Sequence, residues 1–242
     1  MKMSKITAAV LAAGLLSGAV SANAADSAFT TAGSVAMTSD YLYRGISQTS
    51  GAPALQGSLS VSHESGLYAT VWGSSIAFAS GLELDPSIGF AGKAGDVGYD
   101  VGVLYYGYPH SSAAEAAQTP PSGQYDFVEF YGSVSFSGAK LGLAYADDFF
   151  GETGESIYAF ADYGTEVAGF GVSAHVGLNL LDDHYHGPTK GLGEDSYLDY
   201  KVGVNKTLQG VTLELAYMGS DLDDTIVPDG EGTFVLTASK SF

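Results

Sequence analysis

Residues 54–72 read ALQGSLSVSHESGLYATVW, and the rest of the chain repeats the pattern of this segment. Apolar or small residues alternate with polar ones from 55 to 62: Leu55, Gly57, Leu59 and Val61 on one face, Gln56, Ser58, Ser60 and Ser62 on the other. A period of two predicts a β-strand with two unlike faces. The turn residues of 63–66 then precede a second run rich in β-forming residues, which predicts a hairpin. Its apolar face needs a cover, either a protein core or lipid.

The composition agrees with antiparallel β-structure. The 242 residues include 33 Gly and 16 Tyr, and they include no Cys, which argues against a disulfide scaffold and a thiolate metal site. The formal net charge of -18 argues against binding of nucleic acid, whose phosphates attract basic proteins. A charged fraction of only 15% with 12% aromatic residues also argues against a disordered acidic chain.

Residues 1–24 have the pattern of a secretory signal peptide. Two lysines precede an apolar run over residues 6–20, and Ala22-Asn23-Ala24 supplies a small-x-small cleavage site. The run is short for a transmembrane anchor, which is the alternative interpretation. We therefore expect residues 1–24 to be removed and residues 25–242 to form one domain. No later stretch has the length of a spanning helix, so this domain could enter a membrane only as a barrel.

Twelve stretches have the length and pattern of a tilted strand that crosses a bilayer, which takes about 9–11 residues. We predict strands at residues 29–43, 54–63, 66–78, 82–92, 96–107, 124–137, 139–148, 155–166, 169–180, 196–207, 210–219 and 232–242. Short connections at 63–66, 93–96, 137–139, 166–169 and 207–210 alternate with longer ones at 44–53, 78–82, 107–124, 148–155, 181–195 and 219–231.

That alternation is typical of outer-membrane barrels, which have short periplasmic turns, longer extracellular loops and an even number of strands. The sequence therefore predicts an all-β fold, an antiparallel up-and-down transmembrane β-barrel of about 12 strands. Residues 44–52 would be its first outer loop. A barrel of this size predicts a narrow lumen, which residues 107–124 or 181–195 could fill. Phe242 ends an amphipathic final strand and is the predicted assembly signal.

The motif Ser39-Asp40-Tyr41-Leu42-Tyr43-Arg44-Gly45-Ile46-Ser47-Gln48, followed by Pro53-Ala54-Leu55-Gln56-Gly57, resembles the N-terminal signature of the TorF family of porins. This proteobacterial family was long catalogued as secreted proteins of unknown function. The resemblance covers the whole chain after the leader. It implies an outer-membrane β-barrel with a transport role, and it assigns no catalytic residue.

Charged residues on the predicted inner face are the candidates for pore lining and selectivity. They are Arg44, Glu83, Asp85, Asp100, Glu129, Asp199, Lys201 and Glu214. Arg44 either stands at a pore mouth facing acids and sets selectivity, or forms a structural salt bridge that fixes the first hairpin. Because acids outnumber bases in this set, we expect a cation-preferring or weakly selective lumen. A charge on the lipid face would cost a few kcal/mol at mid-bilayer, which supports placing these residues inside.

Two further patterns have a chemical interpretation that we do not favour. The segment Asp182-Asp183-His184-Tyr185-His186 has metal-binding residue types but no evident third ligand, so a solvated loop is the simpler interpretation. His175 beside strand serines is the only conceivable start of a hydrolase site, and no nucleophile motif surrounds it. We predict no enzyme activity, no cofactor and no metal.

The sequence thus predicts a porin-like outer-membrane channel for passive diffusion of small hydrophilic solutes or ions. The alternatives are a non-conducting structural or adhesive barrel that acts through acidic surface loops, and an outer-membrane hydrolase. The expected partners are outer-membrane lipid, the barrel-assembly machinery, and the solutes or ions themselves. The sequence leaves the oligomeric state open.

Overall fold

The computed structural model describes residues 28–109, 125–182, 195–222 and 232–242, and a two-residue ladder between Leu11–Ala12 and Leu15–Leu16. Twelve antiparallel strands form a closed barrel, which confirms the predicted fold class. They are β1 Phe29–Thr38, β2 Ala54–His63, β3 Leu67–Ser75, β4 Leu82–Ala94, β5 Val97–Tyr106, β6 Phe127–Phe136, β7 Ala139–Ala146, β8 Ser156–Val167, β9 Phe170–Leu181, β10 Ser196–Leu208, β11 Val211–Ser220 and β12 Thr233–Ser241.

Each strand pairs with its neighbours in sequence, and β12 pairs with β1 to close the cylinder. The seam continues past the end of β12, because Gly33 and Phe242 exchange two backbone hydrogen bonds of 2.9 and 3.0 Å. The Phe242 ring lies over Gly33, where an added Cβ would come within 2.6 Å of it. Closure satisfies both sheet edges, so the described barrel exposes no unpaired edge strand.

The two ends of the barrel differ. Five connections have two or three residues and lie together at what we call the turn end, as the antiparallel order requires. Three of them have positive φ at both central residues, as type I′ turns require: Ser137-Gly138, Ala168-Gly169 and Gln209-Gly210. The six longer connections lie at the other end, the loop end. Residues 79–81 of one of them form a single 3₁₀ turn.

The outward face of the barrel is an apolar surface, which is unfavourable in contact with water. Large apolar side chains are exposed on every barrel strand, among them Met37, Leu59, Val71, Ile88, Val101, Phe130, Leu143, Val176, Val202, Leu215 and Leu236. Monomeric proteins in water rarely expose such an extended apolar area, whereas lipid tails would cover it. The barrel is therefore built to be embedded in a membrane. No helix among the described residues is long and apolar enough to span one.

The first and third strands end well before their predicted last residues. The first was expected to reach residue 43 and ends at Thr38, and the third was expected to reach residue 78 and ends at Ser75. Both differences lie at the loop end, where the chain turns inward. The connection of residues 39–53, which we call the inserted loop, enters the barrel. The prediction that residues 44–52 form an outer loop is therefore wrong.

Candidate functional site

The inserted loop is a small hairpin that crosses the loop end of the lumen. Leu42–Tyr43 pairs with Ile46–Ser47, and the turn between them has positive φ at Arg44 and Gly45, +46° and +80°. At its base, the Asp40 carboxylate accepts hydrogen bonds from Ser47 Oγ at 2.7 Å and Thr49 Oγ1 at 2.6 Å. These bonds hold the base of the hairpin together and aim its tip into the barrel.

The tip of the inserted loop approaches the backbone of β11, two strands from β1 in the barrel order. The loop leaves the barrel between β1 and β2, and a Cβ added to Gly45 would lie 2.5 Å from the carbonyl oxygen of Gly219 on β11. Only glycine fits such a close backbone approach, and a positive φ also favours it. The backbone of the loop is tied to the next connection as well, since Ala77 donates to the carbonyl of Gln48 at 2.8 Å.

Arg44 fastens the tip of the loop to strands on the opposite side of the lumen. One guanidinium nitrogen pairs with the carboxylate of Glu129 on β6, and the other donates to the Asn179 side-chain oxygen on β9 at 3.3 Å. The guanidinium also lies over the Tyr158 ring of β8, 4.1 Å from its centroid. Arg44 and Glu129 are 4% and 2% exposed, so this ion pair is dry. A dry, hydrogen-bonded pair is costly to break from one side.

Aromatic side chains seal the rest of the loop end. Tyr41 of the inserted loop packs edge-on against Trp72 at 5.4 Å between centroids, and Tyr43 packs against Tyr106 at 5.5 Å. Burial, helped by the nearby charges of Glu83 and Asp85, raises the pKa of the Tyr41 phenol well above its ordinary value. Tyr41 therefore stays neutral and serves as packing.

The inward face is buried at the loop end and accessible toward the turn end. Along β8 the inward residues run from buried Ser156 and Tyr158, through half-buried Asp162, to exposed Glu166. The other strands show the same trend, for example Glu129 to Ser135 on β6. The inserted loop thus closes one end of the lumen and leaves a polar vestibule, a space lined by inward side chains, open at the turn end.

Two polar networks line the vestibule. On one wall Tyr68 of β3 donates to Asp100 of β5 at 2.7 Å and also contacts the Tyr131 hydroxyl. On the facing side, His175 of β9 bridges two carboxylates, Asp162 at 2.6 Å and Asp199 at 3.0 Å.

The second network connects the vestibule to the inserted loop. Asp199 also accepts from Asn179 at 3.2 Å, and Asn179 contacts Arg44. A chain of hydrogen bonds therefore runs from Glu129 through the loop tip to Asp162. One wall of the vestibule is thus linked to the loop tip by hydrogen bonds.

All eight predicted site residues point into the barrel or cross it. Glu83, Asp85, Glu129 and Asp199 are buried near the loop end, whereas Asp100, Lys201 and Glu214 lie half-buried in the vestibule. Lys201 and Glu214 form an ion pair at 2.9 Å. For Arg44 the structure shows the salt bridge that was one of the two alternatives. It also places that bridge across the lumen. The part that these residues play in selectivity stays a prediction.

The residues that receive Arg44 were not among the predicted site residues. Tyr158 and Asn179 alternate correctly for inward positions on their strands, but no spacing in the sequence relates them to residue 44. Asp162, which completes the His175 bridge, was missed as well. The alternation along β8 put Asp162 on one face of the strand, but the sequence did not show which face of β8 points inward.

The structure gives His175 no nucleophile. Nδ1 faces Asp162, and Nε2 faces Asp199 and the Tyr158 hydroxyl, so neither ring nitrogen is directed at a serine. The described residues contain no group of three or more His, Cys, Asp or Glu side chains arranged to hold a metal ion. From residue 183 onward, the Asp182–His186 segment lies outside the described residues, as do residues 110–124.

A family model matches residues 22–242, almost the whole chain. The chain belongs to the Gcw_chp family, described as bacterial proteins of unknown function. The TorF family name suggested by the N-terminal motif stays a prediction. No curated protein matches this Gcw_chp chain.

Solved porin structures share the fold of this Gcw_chp barrel. The KdgM porin aligns with a TM-score of 0.53 and 8% identity, over 87% of this chain and 99% of the porin. The NanC porin aligns with a TM-score of 0.51 and 12% identity, over 86% of this chain and 98% of the porin. At these identities the similarity is one of fold alone.

Proposed function

We propose that this protein is an outer-membrane channel for small hydrophilic solutes or ions, and that the inserted loop closes it at its outer end. The observation that carries the proposal is the polar vestibule. It lies inside a barrel whose outer face is apolar, and the inserted loop blocks it at one end. The mechanism is passive diffusion once the loop leaves its seat. The porin fold of the structural relatives supports it.

The orientation follows from the general architecture of bacterial barrels, in which short turns face the periplasm. The vestibule would then open to the periplasm, and the inserted loop would face the cell exterior. In this proposal the outward apolar side chains contact outer-membrane lipid, and Phe242, seated on Gly33, acts as the assembly signal for the barrel-assembly machinery.

Single-channel recording in planar bilayers tests the proposal. The refolded wild-type protein should show infrequent or small conductance steps, because Arg44 and the tyrosines hold the loop in place. A variant in which residues 41–48 are replaced by a short Gly-Ser linker should show steady, larger steps. If that variant folds but shows no steps above baseline, the barrel is not a channel.

A non-conducting barrel is the second candidate, and the sealed loop end favours it. In that case the acidic connections at the loop end would act as the functional surface, and the loop would be a permanent plug. The same recording separates the two functions, since a permanently plugged barrel conducts only when the loop is removed, and its wild-type form never does.

A further inference from the structure

The tip of the inserted loop is anchored through the guanidinium group of Arg44, the single arginine of the chain. The group enters a site on the barrel wall that we call the guanidinium seat, formed by Glu129, Tyr158 and Asn179. These residues are 2%, 6% and 1% exposed. The seat thus combines a buried carboxylate, an amide oxygen and the face of an aromatic ring.

The seat matches the shape of a guanidinium group. Two different nitrogens of Arg44 contact acceptors on separate strands, the Glu129 carboxylate on β6 and the Asn179 side-chain oxygen on β9. The centroid of the Tyr158 ring lies 4.1 Å from the guanidinium carbon, and that of the Phe149 ring lies 5.5 Å from it. A guanidinium group is planar and forked, so it can stack on a ring while it donates in its own plane, whereas an ammonium group is a point charge. The seat therefore favours guanidinium over ammonium.

The barrel wall itself arranges two members of the seat. Asn179 donates through its side-chain nitrogen to Asp199 at 3.2 Å, which directs its oxygen toward the guanidinium group. The Tyr158 hydroxyl lies 3.2 Å from an Asp199 oxygen and 2.8 Å from His175 Nε2, which fixes its ring. All these partners belong to β8, β9 and β10. We therefore expect the seat to keep its form when the loop tip leaves, and a preorganised site binds a ligand at a lower entropic cost.

A vacated seat has reason to take another cation. When Arg44 leaves, the Glu129 carboxylate loses the cation that compensates its burial, and a buried charge without its partner is strongly unfavourable. A second cation of the same shape would restore the ion pair, the hydrogen bond to Asn179 and the stacking on Tyr158 together. A cation of another shape would restore the ion pair alone.

The attachment of Arg44 to the chain gives it a limited advantage over a free solute. A group on a short flexible tether has an effective concentration of about millimolar. Arg44 also has a φ of +46°, a strained conformation for a residue with a long side chain, and this strain is relieved when the tip leaves. A free guanidinium compound at or above such a concentration can therefore compete for the seat.

We propose that the guanidinium seat binds small solutes with a terminal guanidinium group, and that these solutes displace the loop tip. Arg44 and the solute need the same acceptors, so only one of them occupies the seat at a time. A ligand that binds only the form with a vacated seat shifts the population toward that form. Such a solute therefore holds the channel open. This last step rests on the proposed channel function, whereas binding at the seat does not.

Fluorescence of Trp72 tests displacement in the wild-type protein. Trp72 is the single tryptophan, it is 4% exposed, and Tyr41 of the inserted loop packs against it. N-ethylguanidinium, at up to about 50 mM in order to exceed the effective concentration of Arg44, should shift the emission to longer wavelength and increase its quenching by acrylamide, and both effects should saturate. N-ethylurea has the same shape without the charge, and ethylammonium has the charge without the fork, so neither should produce the shift. An emission that does not change, or that changes equally with all three compounds, would overturn the proposal.

The Arg44→Ala variant assigns the effect to the seat. N-ethylguanidinium contains the atoms that this substitution removes beyond Cβ, so it should raise the melting temperature of Arg44→Ala. The rise should be lost when Glu129→Gln is added, and kept when Asp147→Asn, which changes an exposed acid at the loop end, is added instead. A rise that survives Glu129→Gln would place the compound elsewhere and refute the assignment. A rise in Arg44→Ala without any Trp72 shift in the wild-type protein would mean that the seat is a structural anchor only.

Recording in planar bilayers separates this proposal from the proposed function. If both are correct, N-ethylguanidinium raises the open probability of the wild-type channel and ethylammonium does not. A Trp72 shift in a protein that never conducts would uphold the seat and refute the channel. Conductance that does not respond to N-ethylguanidinium, without a Trp72 shift, would uphold the channel and refute the seat. The fluorescence titration needs only the wild-type protein, so the proposal remains testable if a variant does not fold.

Discussion

Arg44 occupies a backbone position that suits other residues better. Its φ of +46° lies in the left-handed region, where Asn, Asp and Gly are favoured and where a long side chain costs about 1 kcal/mol or more. The structure shows what compensates that cost, namely a dry ion pair with Glu129 and a hydrogen bond to Asn179. The contacts of the side chain, and not the conformation of the turn, therefore explain why an arginine occupies this position.

Replacing Arg44 with Asn separates these two effects. Asn suits the backbone but leaves Glu129 as a buried charge without its cation, so we expect Arg44→Asn to lower the free energy of unfolding by about 3–5 kcal/mol. Urea unfolding in phospholipid vesicles measures this. Arg44→Asn combined with Glu129→Gln should recover most of the loss, because the double variant has no orphaned charge. Equal destabilisation of single and double variants would contradict the role of the pair.

The seat of the inserted loop depends on the close approach of two backbones. Gly45 and Gly51 both have positive φ, +80° and +74°, so each favours glycine for the same conformational reason. They differ in space: a Cβ on Gly45 meets the Gly219 carbonyl, whereas nothing lies within 4 Å of a Cβ on Gly51. This pair of glycines separates backbone strain from crowding.

We expect Gly45→Ala to unseat the tip of the inserted loop and to raise open-channel probability in planar bilayers. Gly51→Ala is the matched control, since it adds the same strain without the clash. Its conductance should stay at the wild-type level. Identical recordings from the two variants would mean that the contact with Gly219 does not hold the loop.

The charged side chains of the lumen do not contribute equally to its electric field. Glu129 and Glu214 are paired with Arg44 and Lys201, whereas Asp100 is bonded to a neutral tyrosine. An unpaired charge contributes more to the field along a pore than one half of an ion pair. We therefore predict that any cation preference of the vestibule comes from acids such as Asp100 more than from the paired glutamates.

The placement of these acids on the lumen wall predicts a selectivity result in the variant that lacks residues 41–48. Asp100→Asn should reduce cation preference, seen as a smaller reversal potential in a KCl gradient. Because Glu214→Gln leaves Lys201 unpaired and adds a net positive charge, it should reduce the preference also. Glu129→Gln in the same background should act similarly, since its partner Arg44 is then absent. Unchanged reversal potentials in all three would refute their placement in the conducting path.

Because the chain has no cysteine, solvent access to each end of the lumen can be measured by labelling introduced cysteines. Each introduced cysteine is a unique reporter, so Ser133→Cys in the vestibule should react with a water-soluble thiol reagent added from the turn end. Ser156→Cys, at a position 1% exposed near the loop end, should not react. Replacing residues 41–48 should make Ser156→Cys reactive. Fast labelling of Ser156→Cys in the intact protein would show that the seal is absent.

The sequence predicts the barrel far better than the site. Period-two alternation and turn residues are local signals, so β2 was predicted with the bounds 54–63 that the structure has. The position of the inserted loop depends on long-range contacts, since Arg44 contacts residues 85 and 135 positions away in the sequence. Polar loop residues look alike whether they face water or a polar lumen. The first predicted strand, residues 29–43, was longer than the about 9–11 residues that cross a bilayer. This excess was the one sign that residues 39–43 do not belong to the strand.

The two backbone hydrogen bonds between Gly33 and Phe242, which close the barrel, have a consequence for the order of folding. The loop emerges beside β1, but its seat is made by β6, β8, β9 and β11, which are synthesised later. Contacts of such high sequence separation form slowly, because the intervening chain must first be ordered. We therefore expect the loop to find its seat late in folding, at about the time when the last strand meets the first. If β12 paired with β1 before the inserted loop had entered the lumen, the loop would stay outside. The product would be a leaky isomer with the same strand pairing.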